Sequence, residues 1–320
     1  MMTPAEIRLK QNPILTNLLL GMGQGSYVAE RLMPRLPQSL SAVTLAQMGD
    51  ERFRRYSLRR APGTVTKRVN IKYQDKTYSV DQYSVEVPIP RELIREADEA
   101  RRLNVGANLD ISRIAMTTAN DILGLDYELE VATLATTVGT YAAGHTLALA
   151  AGTKWSASTG TPVTDITAAS EIIRKKIGKR PNTLTLSADG WNALRFNEQV
   201  RTYLPDSQMG PATNEQLKNI LNLEEIHVGD AVWIDDTDTG QDVWGNNAVL
   251  AYVPRIGGAG TSDISLAEPG FAFTNVLEGH PFAETPYYEA GLKSWVYGAT
   301  YERRPNVAYN TAAFLFQNPK

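Results

Sequence analysis

The sequence predicts an α+β protein in which stretches of β pattern and of helical pattern follow one another. Residues 65–89 alternate apolar and polar side chains, as β-strands do. Residues 109–136 place apolar side chains at three- and four-residue spacing, which is typical of a long amphipathic helix. Residues 165–255 mix short helices and strands, and residues 271–320 return to a β pattern rich in aromatic side chains.

The first 45 residues are predicted to form an extended arm. Prolines interrupt each of its short apolar runs, at Pro4, Pro13, Pro34 and Pro37. The stretch from Tyr27 to Pro34 can add one short helical turn. We therefore expect residues 1–45 to pack on a larger body rather than form one.

Positive charge is concentrated in residues 51–76, where nine Lys and Arg side chains accompany two carboxylates, a net charge of +7 in a chain of −3. Residues 77–320 have a net charge of −11. A basic arm on an acidic body is complementary between copies of the chain, because opposite patches steer and register partners. The cations predicted to make contacts between subunits are Arg52, Arg54, Arg55, Arg59, Arg60, Lys67, Arg68 and Lys72.

The same region is predicted to form an extended two-stranded loop over residues 46–90. Its strands would run over residues 65–73 and 77–89, with a turn at Asp75–Lys76 and a bulge near Asp81–Gln82. An isolated two-stranded ribbon is marginally stable in water. We therefore expect this loop to become ordered by lying across another copy of the chain.

Two helices are predicted after the loop. Pro88 and Pro90 end the strand, and residues 91–102 form a polar, charged helix. The long helix then extends from residue 109 or 110 to about 136, roughly 40 Å at 1.5 Å per residue. Its predicted buried stripe is Ile111, Ile114, Ala115, Thr118, Ile122, Leu125, Leu129 and Ala132.

The section from 165 to 255 is predicted to be a compact α/β unit. Asp165, Ser187 and Thr213 would cap three helices, and Gly178 would end the first. Its predicted strands are residues 183–186, 225–228, 231–234 and 248–253.

Residue patterns of catalytic and metal sites are missing from the sequence. His145, His227 and His280 are far apart and lie in no metal-binding motif. The glycines of residues 21–25 lack the Lys-Ser/Thr of a phosphate loop, and the acidic run 235–238 lacks the closing Glu of an EF-hand. No Ser lies in a GxSxG elbow, and there is no cysteine. We expect no catalytic residue, no metal and no cofactor.

Composition narrows the class of partner. No apolar run reaches the ~18 residues of a membrane span, and the N-terminus lacks a signal-peptide pattern, so we expect a soluble protein used without export and without a membrane. Lys and Arg side chains interleaved with Tyr73, Tyr78 and Tyr83 are compatible with binding of nucleic acid by this ribbon. The negative net charge and the sequence pI of about 5.8 favour protein–protein contact instead.

Taken in order, these segments resemble the tailed-phage major capsid proteins of the Hong Kong 97-type fold. The most specific phrases are Tyr56–Gly63, Arg180–Leu194, and Leu221–Val232 followed by Val243–Gly245. The resemblance spans essentially the whole chain. It implies an N-terminal arm (1–45), an extended loop (46–90), a peripheral domain with the spine helix (91–164), an axial domain (165–255) and returning peripheral strands with the C-terminus (256–320).

The resemblance implies a function in assembly. Subunits would form hexamers and pentamers of an icosahedral shell around double-stranded DNA, bound without sequence specificity. The loop of one subunit would lie over the peripheral domain of its neighbour. Candidate acidic partners of its arginines are Glu92, Glu96, Asp98 and Glu99. A portal, a separate scaffolding protein and a decoration protein are further expected partners, and the location would be the virion capsid, assembled in the host cytoplasm.

Two alternatives remain open from the sequence. An encapsulin, a nanocompartment shell with protein cargo, has a related fold. A soluble enzyme with an α/β core at 165–255 is the alternative from another class. Electron microscopy separates a uniform shell from a small oligomer with a ligand pocket.

Overall fold

The computed structural model of the protein describes residues 27–48, 55–69, 73–102, 110–205, 210–254 and 269–320. The helices of this part are α1 (Ala29–Leu32), α2 (Arg91–Arg102), α3 (Ile111–Thr136), α4 (Pro162–Ile177), α5 (Ala188–Phe196), α6 (Glu198–Arg201) and α7 (Asn214–Leu221). The strands are β1 (Arg35–Gln38), β2 (Ala42–Met48), β3 (Tyr73–Ser79), β4 (Asp81–Pro90), β5 (Thr146–Ala148), β6 (Thr183–Ser187), β7 (Glu225–Gly229), β8 (Val232–Ile234), β9 (Gly240–Asp242), β10 (Asn247–Ala251), β11 (Ala272–Leu277), β12 (Phe282–Ala283), β13 (Tyr287–Glu289), β14 (Ser294–Val307) and β15 (Ala313–Gln317).

The long helix α3 confirms the predicted spine, and its buried face matches the predicted stripe only in part, at Ala115 and Ala132. Asp110 caps the helix by accepting a hydrogen bond from the amide of Arg113 at 3.2 Å. Ile114 and Ile122 of the predicted stripe are each 47% exposed. The buried face carries Ala115, Met116, Ala119, Leu123, Tyr127, Glu128, Val131, Ala132 and Ala135. The sequence pattern did not reveal this face because it includes the polar side chains of Tyr127 and Glu128. Hydrogen bonds inside the protein satisfy both side chains, which allows them to be buried.

A six-stranded sheet packs against the spine. Strand β14 is its centre and pairs with β4 over ten residues, from Ser294 with Pro90 to Arg303 with Asp81. Strands β11, β12 and β13 also pair with β14, and β1 joins β11 in parallel. Alternate residues of β4 are turned inward, and the innermost, Ile89, packs with Met116 and Ala119 of the spine.

A second sheet has the order β5-β15-β10-β6-β7, with β6 and β7 parallel. All five residues of β6 are buried, as predicted for residues 183–186. The side chains of Ser187 and Thr213 cap α5 and α7, which confirms both predicted caps. The predicted cap at Asp165 is wrong: α4 begins at Pro162, and Asp165 accepts a hydrogen bond from Nε1 of Trp155 at 3.0 Å.

The second sheet draws strands from three segments of the sequence. Strand β5 lies within residues 137–164 and pairs with β15 near the C-terminus, and β15 pairs in turn with β10 of the α/β section. Gly178 ends α4 in the left-handed conformation with φ of 74°, as predicted. The two sheets therefore share the C-terminal segment, which leaves the first sheet with β14 and enters the second with β15.

The extended ribbon exists, but its pairing differs from the prediction. Asp75 and Lys76 do not form a turn; they lie inside β3 and pair with Ala46 and Leu45 of β2. Strand β4 does not pair with β3, because at Val80 the chain leaves the ribbon and enters the six-stranded sheet. The predicted bulge near Asp81–Gln82 corresponds to this strand change.

The physical reason lies in the turn chemistry. Asp75–Lys76 contains neither proline nor glycine, whereas Pro62–Gly63 combines both, and Gly63 has φ of 83°. The turn therefore forms in the middle of the basic segment, and within residues 55–69 there is no strand. The strand predicted to begin at Val65 is accordingly wrong over residues 65–69.

Candidate subunit interface

Residues 55–69, here called the cationic loop, extend from the β2–β3 ribbon and touch little of the subunit. Every residue of this loop except Tyr56 is exposed. A turn organises its tip: Thr64 donates to the carbonyl of Ala61 through both its amide (3.2 Å) and its hydroxyl (2.8 Å). Nε of Arg60 donates to the carbonyl of Thr64 at 2.6 Å. The loop thus has local order but no packed core.

The described part of this loop has five of the predicted contact cations, namely Arg55, Arg59, Arg60, Lys67 and Arg68. None of the five forms an ion pair with a carboxylate of the described residues. Nζ of Lys67 lies 5.8 Å from the ring centroid of Tyr56. Leu58 and Val65 are 74% and 87% exposed. Arg52, Arg54 and Lys72 lie outside the described residues.

The predicted acidic partners lie on α2, and three of the four, Glu92, Asp98 and Glu99, already have partners in their own subunit. Glu92 pairs with Arg91 at 3.0 Å and Glu99 with Arg102 at 2.5 Å. The hydrogen bond from Arg102 lowers the pKa of Glu99. Glu96 is exposed and has no ion pair with any cation of the described ranges.

Asp98, the fourth predicted partner, lines a shallow depression of about 380 Å³ between α2 and β14. Arg91, Arg95 and Trp295 line it as well. No hydrogen bond or ion pair between described residues joins the cationic loop to α2. For the five described cations of the loop, the structure of one subunit therefore shows no contact with the predicted acidic partners.

A second acidic surface, which the sequence reasoning missed, surrounds Tyr287. Its hydroxyl donates to Oε1 of Glu86 at 3.2 Å, and the pairing of Tyr287 with Val296 and of Val296 with Pro88 places Tyr287 and Glu86 on one face of the sheet. Desolvation and the charges of Glu86, Glu289 and Glu284 raise the pKa of Tyr287. The alternation of β4 places Glu86 on the outer face, but only the fold shows that Tyr287 of β13 contacts it across the intervening strand β14.

The core of the subunit is fastened by two buried charged groups that the sequence did not reveal. Glu128 is fully buried and accepts hydrogen bonds from the amides of Val28 (3.0 Å) and Ala29 (2.9 Å) and from Nε1 of Trp244 (2.7 Å). Burial raises its pKa, and the hydrogen bonds oppose that shift. One carboxylate therefore joins α1, the spine and the loop before β10.

Arg303 is the second group. Its side chain is fully buried, forms ion pairs with Asp126 (2.7 Å) and Glu130, and lies 4.2 Å and 4.8 Å from the ring centroids of Tyr83 and Tyr127. A guanidinium between aromatic faces and carboxylates is stabilised by both kinds of contact. It ties β14 to the spine and to β4.

The chemistry of the remaining polar groups is structural. Asp235 accepts hydrogen bonds from the hydroxyl of Thr237 (2.6 Å) and from the amides of Thr239 (3.0 Å) and Thr237 (2.9 Å), which lower its pKa to about 2. Among the described residues, no group of three or more His, Asp or Glu side chains is arranged to hold a metal ion. No helix in the same part of the chain is long and apolar enough to cross a membrane. The glycines of residues 21–25 lie outside the described residues.

Comparison with known proteins identifies relatives over most of the chain. The family model described as phage major capsid protein E matches residues 139–264. The major capsid protein of Burkholderia phage BcepMu is 33% identical over 283 residues, which cover 88% of each chain. A phage-related protein from Bordetella bronchiseptica RB50 has a solved structure that matches with a TM-score of 0.75 and 31% identity, over 97% of each chain.

More distant structures share the fold alone. Solved structures from Mycobacterium phage Che8 and from the capsid of the Cyanophage P-SCSP1u match at 13% identity with TM-scores of 0.51 and 0.53, each over 91% of this chain. An encapsulin complex from Synechococcus elongatus PCC 7942 matches at 13% identity with a TM-score of 0.54, over 99% of this chain and 95% of the encapsulin. These matches and the α+β architecture confirm the Hong Kong 97-type fold.

Proposed function

Because this chain belongs to the phage major capsid protein family, we propose that it forms hexamers and pentamers that close into an icosahedral shell around double-stranded DNA. It is a structural protein of the virion capsid and not an enzyme, so the soluble-enzyme alternative is wrong. The encapsulin alternative rests on fold similarity at 13% identity, whereas the 33% identical relative is a phage protein. We therefore propose that the chain functions as a phage capsid protein rather than as an encapsulin.

The observation that carries the assembly proposal is the exposed cationic loop. Five cations and two large apolar side chains, Leu58 and Val65, project without packed partners from a two-stranded ribbon. A ribbon of this kind is marginally stable alone. We propose that the loop docks on the six-stranded sheet and α2 of a neighbouring subunit.

Two carboxylate surfaces suit this docking: the acidic surface around Tyr287 on the six-stranded sheet, and the helix α2. Glu96 is exposed and available, and Glu92, Asp98 and Glu99 surround it on α2. We propose that Arg59 and Arg60 meet this helix. A single exposed ion pair contributes ~0–1 kcal/mol, so the strength would come from repetition around closed rings.

The proposed division of the chain keeps the arm (1–45), the extended loop (46–90), the peripheral segments (91–164 and 256–320) and the axial section (165–255). The pairing of β15 with the axial strand β10, and of β5 with β15, favours moving residues 146–148 and 313–317 to the axial unit. A portal, a separate scaffolding protein, a decoration protein and DNA bound without sequence specificity remain proposed partners. Assembly in the host cytoplasm is likewise proposed.

Electron microscopy and sedimentation of the purified full-length protein test the function. We expect uniform shells or capsomers from the wild type. The variant R59E/R60E should remain folded by circular dichroism and form no closed particles, and the control R59K/R60K should assemble because the charge is kept. Normal particles from R59E/R60E would exclude the proposed role of these two arginines. A wild type that stays a monomer under all assembly conditions would contradict the shell itself.

A further inference from the structure

We propose a head-to-tail contact between neighbouring copies that involves neither the cationic loop nor α2. In this contact, residues 230–242, here called the acidic hairpin, dock on residues 171–180 of the next subunit, here called the basic helix end. The inference rests on the proposed ring assembly and assigns the residues of one of its contacts. Three observations support it: the opposite charges of the two surfaces, the exposed apolar side chains on both, and their positions at opposite ends of the strands of one sheet.

The acidic hairpin consists of β8 and β9 with the turn between them. It has five carboxylates and no cation, at Asp230, Asp235, Asp236, Asp238 and Asp242. Asp235 is used inside the turn by the hydrogen bonds described above. The other four are exposed and form no ion pair with cations of the described residues.

One face of this hairpin is apolar and open. Val232 and Ile234, two residues apart on β8, are 58% and 70% exposed and lie on the same face. Val232 pairs directly with Asp242 of β9, so this face also carries a carboxylate. Strands β8 and β9 form a sheet of their own with no third strand in the described part. The face is therefore both apolar and negatively charged.

The basic helix end carries the matching groups. Five cations, Arg174, Lys175, Lys176, Lys179 and Arg180, accompany one carboxylate. Arg174 and Arg180 pair with that carboxylate, Glu171, at 2.7 Å and 2.6 Å.

The two remaining lysines of α4 are available for a partner. Lys175 and Lys176 are exposed and have no ion pair among the described residues. Ile172, 37% exposed, lies three and four residues before them and so shares their helix surface. An apolar side chain flanked by two lysines suits the acidic hairpin.

The two surfaces lie beyond opposite ends of strand β6, so they do not meet within one subunit. The acidic hairpin follows Gly229, which pairs with Ser187 at the end of β6. The basic helix end precedes the start of β6, where Thr183 pairs with Ala251. Nζ of Lys179 donates to the hydroxyl of Tyr252, the residue after Ala251, which fixes the helix end at this end of the strands.

The two surfaces therefore lie at opposite ends of the strands of one sheet, separated by the length of β6, about 16 Å. Each subunit presents an acidic surface at one end and a basic surface at the other. Complementary surfaces of this kind form heterologous contacts, which close into rings when the rotation between copies is suitable. A second copy of the chain therefore fits the acidic hairpin.

Charge exchange tests the contact. The variants K175E/K176E and D236K/D242K each replace attraction by repulsion, and the four-fold variant restores opposite charges with the signs exchanged. Controls K175R/K176R and D236E/D242E keep the charges. The readouts are the assembled fraction by sedimentation, particle morphology by electron microscopy, and folding by circular dichroism. We expect each reversed variant to lose at least about tenfold in assembled fraction, and the four-fold variant to recover to within about twofold of the wild type.

The outcomes separate this contact from the shell proposal. Shells from the wild type and equally from both reversed variants would overturn the contact while leaving the shell intact. A folded four-fold variant that stays unassembled would also overturn it, since the hairpin would then meet a different partner. If a reversed variant fails to fold, K175Q/K176Q replaces it, and assembly unchanged in that variant at low and at high salt overturns the contact. A wild type without rings or shells would refute the proposed function and this contact together.

Discussion

The junction at Glu128 predicts how strongly the arm is held to the spine. Replacing Glu128 by Ala leaves three buried donors without an acceptor: the amides of Val28 and Ala29 and Nε1 of Trp244. A buried donor left unpaired costs about 1–3 kcal/mol, so the free energy of unfolding should fall by about 3–9 kcal/mol. Water entering the space vacated by the side chain would place the result at the lower end.

The variant E128Q keeps the shape but replaces one accepting oxygen by an NH₂ group. With Oε1 retained, Trp244 and Val28 keep their acceptor and the amide of Ala29 loses its own. The expected cost is about 1–3 kcal/mol. Urea denaturation measures both variants, and hydrogen exchange should show faster exchange of the amides of Val28 and Ala29.

The pH dependence has a defined sign. Burial raises the folded-state pKa of Glu128 above its unfolded value of about 4.3, so the folded state binds more protons between the two pKa values. The stability of the wild type therefore falls as pH rises through this window. Since Gln does not titrate, the deficit of E128Q should be largest at low pH and shrink as pH rises.

A control and a refuting result complete this test. Glu198 is exposed on α6, and E198Q should change the stability by no more than about 0.5 kcal/mol. A loss of less than about 1 kcal/mol in E128A, or wild-type protection of the Val28 and Ala29 amides in that variant, would refute the reasoning.

Two further changes test the packing of the subunit. R303M leaves the half-buried carboxylate of Glu130 and the exposed carboxylate of Asp126 without their cation and should destabilise the fold by about 1–3 kcal/mol in urea denaturation; an unchanged stability would contradict the role of this pair. G229A places a Cβ 2.2 Å from the ring of Trp244 and should lower stability by about 1–3 kcal/mol or more, measured as a lower Tm; an unchanged Tm would contradict the close approach.

Local patterns predicted several elements well because neighbouring residues decide them. The spine begins after the cap at Asp110, Gly178 ends α4, and Ser187 and Thr213 cap their helices. Asp165 was misplaced because a proline at the first helical position competes with it as a start signal.

Long-range choices could not be read in the same way. The sequence pattern predicted a turn at Asp75–Lys76 where β3 runs as one strand, and it did not identify the partner strand β2. The paired residues lie between 25 residues (Met48 and Tyr73) and 37 residues (Ala42 and Ser79) apart, and such pairing depends on tertiary context. The part of the buried face of α3 that includes Glu128 was not predicted, because a Glu is usually exposed unless buried donors pair with it. Its three donors become known only from the fold. The carboxylates around Tyr287 come from β4 and from strands about 200 residues later, and only the fold unites them.

The distribution of partnered and unpartnered charges distinguishes the body of this subunit from its surface. The buried charges, Glu128 and Arg303, have partners inside the chain and fasten the arm, the spine and both sheets into one unit. Exposed charge of one sign is concentrated in the cationic loop, in the acidic hairpin and in the basic helix end. In the basic helix end, Arg174 and Arg180 pair with Glu171, whereas Lys175 and Lys176 form no ion pair among the described residues. Sorting like charges together costs self-repulsion in a monomer, and that cost is offset only when surfaces of opposite sign meet. A rigid unit with segregated surface charge is therefore what repeated contact between identical copies requires.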